Sequence, residues 1–147
     1  MHYALSPGSV TEVLFVCVHN AGRSQMAAGL LKQLAPGRVE VRSAGSEPAD
    51  RLNPNVVKAM DEIGIDINDQ QSKSLDRFIG QKWDFVIPVC EEGAAACPMI
   101  PGEHVIERWQ FDDLAAAGGT DEERLAVFRR VRDEIADKVR DFLVRHP

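Results

Sequence analysis

Cysteine is scarce and odd in number: the chain of 147 residues carries three, Cys17, Cys90 and Cys97. An odd count suits a reducing compartment and reactive thiols better than a secreted disulfide frame. Basic charge is also short, with 17 Lys and Arg against 23 Asp and Glu and a formal net charge of −6. That balance argues against nucleic acid or an anionic membrane surface as the main partner. Any anionic substrate must then be drawn in by a local field. Long hydrophobic runs are missing too. Val13 to Val18 is far too short to span a bilayer, and Met1 to Ser9 lacks a basic region followed by a long apolar one, so a soluble cytoplasmic protein is expected. No internal repeat or low-complexity segment appears.

What is present is globular. Hydrophobic residues at 44% and charged residues at 27% fit one domain able to bury a core without staples. Residues 1–11 read as a loose extension around Pro7-Gly8-Ser9, with the domain proper over 12–147. Val13 to Val18 has the continuous apolar character of a strand buried on both faces, and Ser24 to Leu34 reads as a helix. Val39 to Ser43 alternates as a second strand. Asn53-Pro54 opens a helix closed by Gly64, and a short helix is expected near Leu75 to Ile79. Trp83 to Ile87 forms a third strand, with Pro88 ending or bulging it. His104 to Trp109 forms a fourth. Thr120-Asp121-Glu122-Glu123 is a capping box that starts a long helix burying Leu125, Phe128, Val131, Ile135, Val139 and Phe142. The alternation predicts an α/β fold of three layers, a four-stranded parallel sheet flanked by helices, with ligands bound beyond the carboxyl ends of the strands.

The turn after the first strand carries Cys17-Val18-His19-Asn20-Ala21-Gly22-Arg23-Ser24. A short loop of this kind turns its backbone N–H groups inward as a nest, and the following helix adds the positive end of its dipole. A tetrahedral oxyanion fits there. Arg23 brings a planar fork of donors that grips two oxygens at once. Amides, dipole and guanidinium all favour negative charge, so Cys17 is read as a nucleophilic thiolate. Ser24 is placed both to cap the helix and to offer its hydroxyl to the sulfur. The competing reading is a buried cysteine ending a strand.

Cys90 follows the third strand and should emerge on the same sheet edge as Cys17. Between Cys90 and Cys97 lies an alanine-rich stretch. If helical, it would hold its ends about 10.5 Å apart, beyond the roughly 4.4–6.8 Å a disulfide needs, so these two thiols could pair only if it unwinds. Inert core thiols and a metal site with His104 are the alternatives; the spacing matches no short zinc knuckle, and no metal is expected. After the fourth strand, Asp113, with Asp112 as substitute, could protonate an oxygen leaving the oxyanion, under a hydrophobic cover such as Trp109.

Cys17 to Ser24 with Gln25-Met26-Ala27, then Ser43-Ala44-Gly45, Cys90 with Cys97-Pro98, Trp109 to Asp113, and Phe128 to Ile135 together resemble the thioredoxin-coupled arsenate reductases built on the low-molecular-weight protein tyrosine phosphatase fold. The resemblance runs from about Val13 to the C-terminus. It implies that Cys17 attacks arsenate held by the loop and Arg23, and that Asp113 protonates the departing oxygen. Cys90 would then attack Cys17 and release arsenite, Cys97 would attack Cys90, and thioredoxin would reduce the Cys90–Cys97 disulfide. It also implies that Asn20 and Ser43 hold the loop in shape, and that no cofactor is needed. Three cysteines suffice for that exchange. The family often has a fourth cysteine where this chain has Gly22, and many members have proline where it has Leu114. A potassium-binding glutamate of some members falls at Ala28, so no potassium site is expected. The alternatives are a phosphatase, a reductase served by a small thiol, and a non-catalytic thiol switch or oxyanion-binding module.

Overall fold

The computed structural model describes residues 10–20, 22–90, 100, 102, 104–112, 114 and 118–146, with the backbone alone at Cys90. Among these residues the elements are, in order, β1 (Thr11–Cys17), α1 (Arg23–Leu34), β2 (Val39–Gly45), α2 (Pro54–Asp61), a 3₁₀ turn (Leu75–Phe78), β3 (Phe85–Cys90), β4 (Val105–Ile106), β5 (Trp109–Gln110) and α3 (Asp121–Arg145). The strands are parallel in the order β2-β1-β3-β4, and β5 also pairs with β3. After β2 the chain crosses to the far side of β1. The loop leaving β1 therefore stands where the strand order reverses, the place at which such sheets bind ligands.

Val13, Leu14, Phe15 and Val16 are fully buried, as a central parallel strand requires. The two faces of the sheet are covered unequally. Val13, Phe15, Val41, Ile87 and Val89 meet α1, α2 and α3, whereas Leu14, Val16, Ala44 and Val86 are closed by the 3₁₀ turn with Trp83 and Ile100. The helices α1, α2 and α3 thus share one face, and the described layer on the other is thin. On the thick side Trp109 is 1% exposed and lies between Phe15 and Phe142, with ring centroids 5.3 and 6.0 Å away. Burying each of these aromatic side chains contributes roughly 1.5–3 kcal/mol. Trp109 is therefore a core residue.

The third strand departs from expectation. It starts at Phe85, runs through Pro88 and ends at Cys90. Successive residues of a strand turn their hydrogen-bonding groups to opposite sides. Towards β4, Asp84 accepts from the Val105 N–H at 3.1 Å and Val86 from the Glu107 N–H at 3.2 Å. Pro88 is the next residue in that series, and it has no N–H to give. At that level β4 has already ended at Ile106, while β5 takes up pairing opposite Val89. Glu107 and Arg108 pass the proline without needing its donor, so the expected single fourth strand is two short ones.

The long helix begins with the expected capping box. Glu123 N–H donates to Thr120 Oγ1 and Thr120 N–H to Glu123 Oε1, both at 3.1 Å. Its six expected core positions are all buried. Arg132 is 8% exposed, donates to the Ala59 carbonyl at 2.9 Å and pairs with Glu62 at 3.0 Å, fastening α3 to the end of α2.

Candidate active site

Four consecutive carbonyls of the loop after β1 are occupied on its outer side. Cys17 O accepts from Ser46 N–H (3.3 Å), Val18 O from Glu47 N–H (2.8 Å) and His19 O from Ala49 N–H (3.0 Å). Asn20 O accepts from Gln25 Nε2 (2.8 Å) and from the Ser72 hydroxyl (2.7 Å). With its acceptors committed outwards, the loop leaves N–H groups for the concave side. Gly45 permits this closure. A Cβ there would lie 2.4 Å from Val18 O and 3.0 Å from Asn20 N, a distance backbone cannot accept.

At the floor, Cys17 is 5% exposed. Its Sγ receives the Asn20 N–H at 3.1 Å and lies 2.9 Å from Ser24 Oγ. Asn20 Nδ2 donates to the same Ser24 oxygen at 2.8 Å, leaving the hydroxyl proton free to point at sulfur. That is the donor set a thiolate needs. Asn20 adopts φ 51°, in the left-handed region that asparagine tolerates better than most residues. Its Oδ1 accepts from Lys73 N–H at 2.9 Å, so both ends of its side chain are used.

The helix cap is a correction. Gly22 is the N-cap of α1 and supplies no side-chain hydrogen bond, whereas Ser24 lies inside the helix, fully buried, with its oxygen engaged by Cys17 and Asn20. Ser24 is the second residue of the helix, past the N-cap position from which a side chain reaches back to the free N–H groups of the first turn. Arg23 is the first residue of α1, and its Nη1 donates to Phe111 O at 3.1 Å, linking the loop to the segment after β5. In that segment Asp112 is exposed and pairs with Arg130 of α3 at 2.7 Å. Its carboxylate is held in that ion pair. Asp113, Cys97 and Ala21 lie outside the described residues. Cys90 ends β3 on the carboxyl edge of the sheet, the same edge as Cys17, since Val16 pairs with Pro88.

Residues 12–146 match the low molecular weight phosphotyrosine protein phosphatase family. The chain belongs to that family. It is 48% identical to an arsenate reductase of Halalkalibacterium halodurans over 130 residues, 88% of this chain and 93% of the relative. A solved arsenate reductase in the phosphate binding state is 33% identical, with a TM-score of 0.76, covering 94% of this chain and all (100%) of that one. The Corynebacterium glutamicum thioredoxin-dependent arsenate reductase is 36% identical with a TM-score of 0.70, covering 94% of this chain and 62% of its own.

Several residues that shape the loop had no role assigned from sequence. Gln25 is fully buried in α1, donates to Gln71 O at 3.0 Å besides Asn20 O, and accepts from Gln70 Nε2 at 2.7 Å. A fully polar amide on the inner face of an apolar helix is the signal that could have marked it. Ser72 and Lys73 reach the loop from more than fifty positions away. His19 is exposed and its Nδ1 lies 3.0 Å from Glu47 O, which ties the ring to the outside of the loop. Ser43, buried in β2, lines a cavity behind the loop together with Gln25 and Lys73. Among the described residues no hydrogen bond joins the Ser43 hydroxyl to the loop. No helix among them is long and apolar enough to cross a membrane.

Proposed function

We propose that this chain is an arsenate reductase whose Cys17 thiolate attacks arsenate seated on the Val18–Ser24 amides and Arg23. The observation that carries the reading is the polar cage at the Cys17 sulfur, placed on the same sheet edge as the end of β3, where Cys90 stands. Attack forms an S–As bond, and one arsenate oxygen departs as water when protonated. Asp113 is assigned the proton, because Asp112 next to it is paired with Arg130. Cys90 then attacks Cys17 Sγ, closing an S–S bond. The S–As electron pair remains on arsenic, which leaves as arsenite, two electrons having come from two thiols. Cys97 attacks Cys90, frees Cys17 and leaves a Cys90–Cys97 disulfide for the dithiol of thioredoxin. No cofactor enters this scheme. It needs a reducing compartment, in keeping with a cytoplasmic protein.

Family membership favours one second reading, a phosphomonoester phosphatase, because phosphate and arsenate share shape and charge. Ester hydrolysis needs Cys17, Arg23 and the acid but neither Cys90 nor Cys97. The discriminating measurement is NADPH oxidation with arsenate, thioredoxin and thioredoxin reductase for wild type, Cys17→Ser, Cys90→Ser and Cys97→Ser, with para-nitrophenyl phosphate assayed alongside. Turnover lost in all three variants is the expected result. Arsenate turnover surviving in Cys90→Ser and Cys97→Ser, or ester hydrolysis alone, would replace the relay with a phosphatase or a small-thiol enzyme.

A further inference from the structure

Behind the catalytic loop, between α1, β2 and the segment before the 3₁₀ turn, lies an open cavity of about 250 Å³. A cavity this large holds a tetrahedral ion and several waters, since one water occupies about 10–15 Å³ measured in the same way. Three of its lining side chains are cationic, Lys32, Arg42 and Lys73, against one carboxylate, Asp69; Gln25, Ser43, Gln70 and Gln71 add neutral polar groups. Arg42 is shared with Glu40 at 3.2 Å, both side chains being half exposed. Lys73 Nζ donates to Gln71 O at 2.6 Å, and among the described residues no carboxylate pairs with Lys73 or Lys32.

Three cations are gathered here against two carboxylates, Asp69 and the Glu40 partner of Arg42, which leaves positive charge in excess. The Lys73 ammonium is pushed down to about 8, first by burial and then by repulsion from Arg77, Lys32 and Arg42. Such a cluster costs stability unless an anion occupies it, because each cation raises the energy of its neighbours. The lining also includes residues that hold the loop: Gln25 donates to Asn20 O, and the Lys73 N–H donates to Asn20 Oδ1.

We propose that this cavity is a second oxyanion site, in which Lys32, Arg42 and Lys73 bind a tetrahedral dianion, either a free inorganic ion or the phosphoryl group of a larger molecule. The site is separate from the sulfur chemistry and stands whether or not Cys17 reduces arsenate. An occupant would neutralise the cluster and stiffen the polar wall that carries Asn20.

Sulfate titration followed by ¹H–¹⁵N amide shifts tests this, with chloride adjusted to keep ionic strength constant. Wild type should show two sets of saturable shifts with separate midpoints, one over residues 18–24 and one around residues 28, 32, 42, 70 and 73. In Arg23→Ala the first set should be lost and the second kept. In Lys32→Gln/Lys73→Gln the midpoint of the second should rise about tenfold or more, as expected for removing charge-assisted donors. Lys32→Gln/Arg42→Gln alters only side chains outside the loop hydrogen bonds and should act alike. Phenyl phosphate added to Arg23→Ala separates the sources: binding would assign the site to phosphorylated molecules, and sulfate binding without it to free inorganic ions. A second set that vanishes in Arg23→Ala, or that persists unchanged in both double variants, would overturn the proposal.

Discussion

Ser24 carries more of the site than its size suggests, because its one oxygen touches both the sulfur of Cys17 and the amide of Asn20. Removing it takes a hydrogen-bond partner from the Cys17 sulfur and leaves a buried Asn20 amide donor without its acceptor. Ser24→Ala should slow alkylation of Cys17 by iodoacetamide at pH 6 by about tenfold, the effect of one charge-assisted hydrogen bond. An unchanged rate would mean that the hydroxyl does not act on the sulfur. The place of Cys17, Arg23 and Ser24 between β1 and α1 was legible from sequence, because an apolar run and a helical pattern bracket them. Gln25, Ser72 and Lys73 were not, since what they bond is fixed by folding. Lys73 acts on Asn20 through its backbone N–H, which no residue type advertises.

Among the elements, β2 shows how a strand end can control the loop beside it. Gly45 pairs with Cys17 at the last position of the β1–β2 ladder, and Val18 O occupies the space its side chain would need. Gly45→Ala must push the loop away. Overpacking of this kind costs about 1–3 kcal/mol in stability. The loop gives way more readily than the two strands, so turnover should fall at least about a hundredfold, since a displacement near 1 Å at the chemistry costs that much. Urea unfolding and steady-state kinetics on the same sample check the pair of effects; activity lost only in proportion to unfolded protein would refute the steric account. The elements themselves were mostly legible. Apolar runs, breakers and the Thr120 capping box locate the helices and the first two strands, whereas the third strand runs on through Pro88. The proline is accommodated by an interruption in a neighbouring strand, information that lies about twenty residues further along the chain.

On the scale of the whole molecule, the parallel sheet and the edge that holds the loop followed from the alternation of strands and helices. The gathering of α1, α2 and α3 on one face did not, because hydrophobic periodicity marks a buried stripe without saying which side of the sheet it meets. Global stability should carry the mark of Lys73. Its proton is lost at about 8 in the folded chain against 10.5 for the free side chain. Between these two values the unfolded chain binds more protons, so stability rises with pH across that window and is unaffected by this group below it. The difference in urea midpoint between wild type and Lys73→Met should therefore shift in favour of wild type from pH 7 to pH 9.5 in chloride buffer. A difference that stays constant over that range would show that the ammonium is not perturbed by folding.

The divided β4–β5 strand has a further consequence, for the behaviour of many copies together. Beyond β3 the sheet ends in β4, which is two residues long with Val105 and Ile106 exposed. A continuous apolar border would template the strand of another molecule and seed fibrous aggregation; a border cut after two residues gives an incoming strand too few hydrogen bonds to hold. The gap that accommodates Pro88 thus also blunts this border of the sheet against the addition of a strand from another molecule.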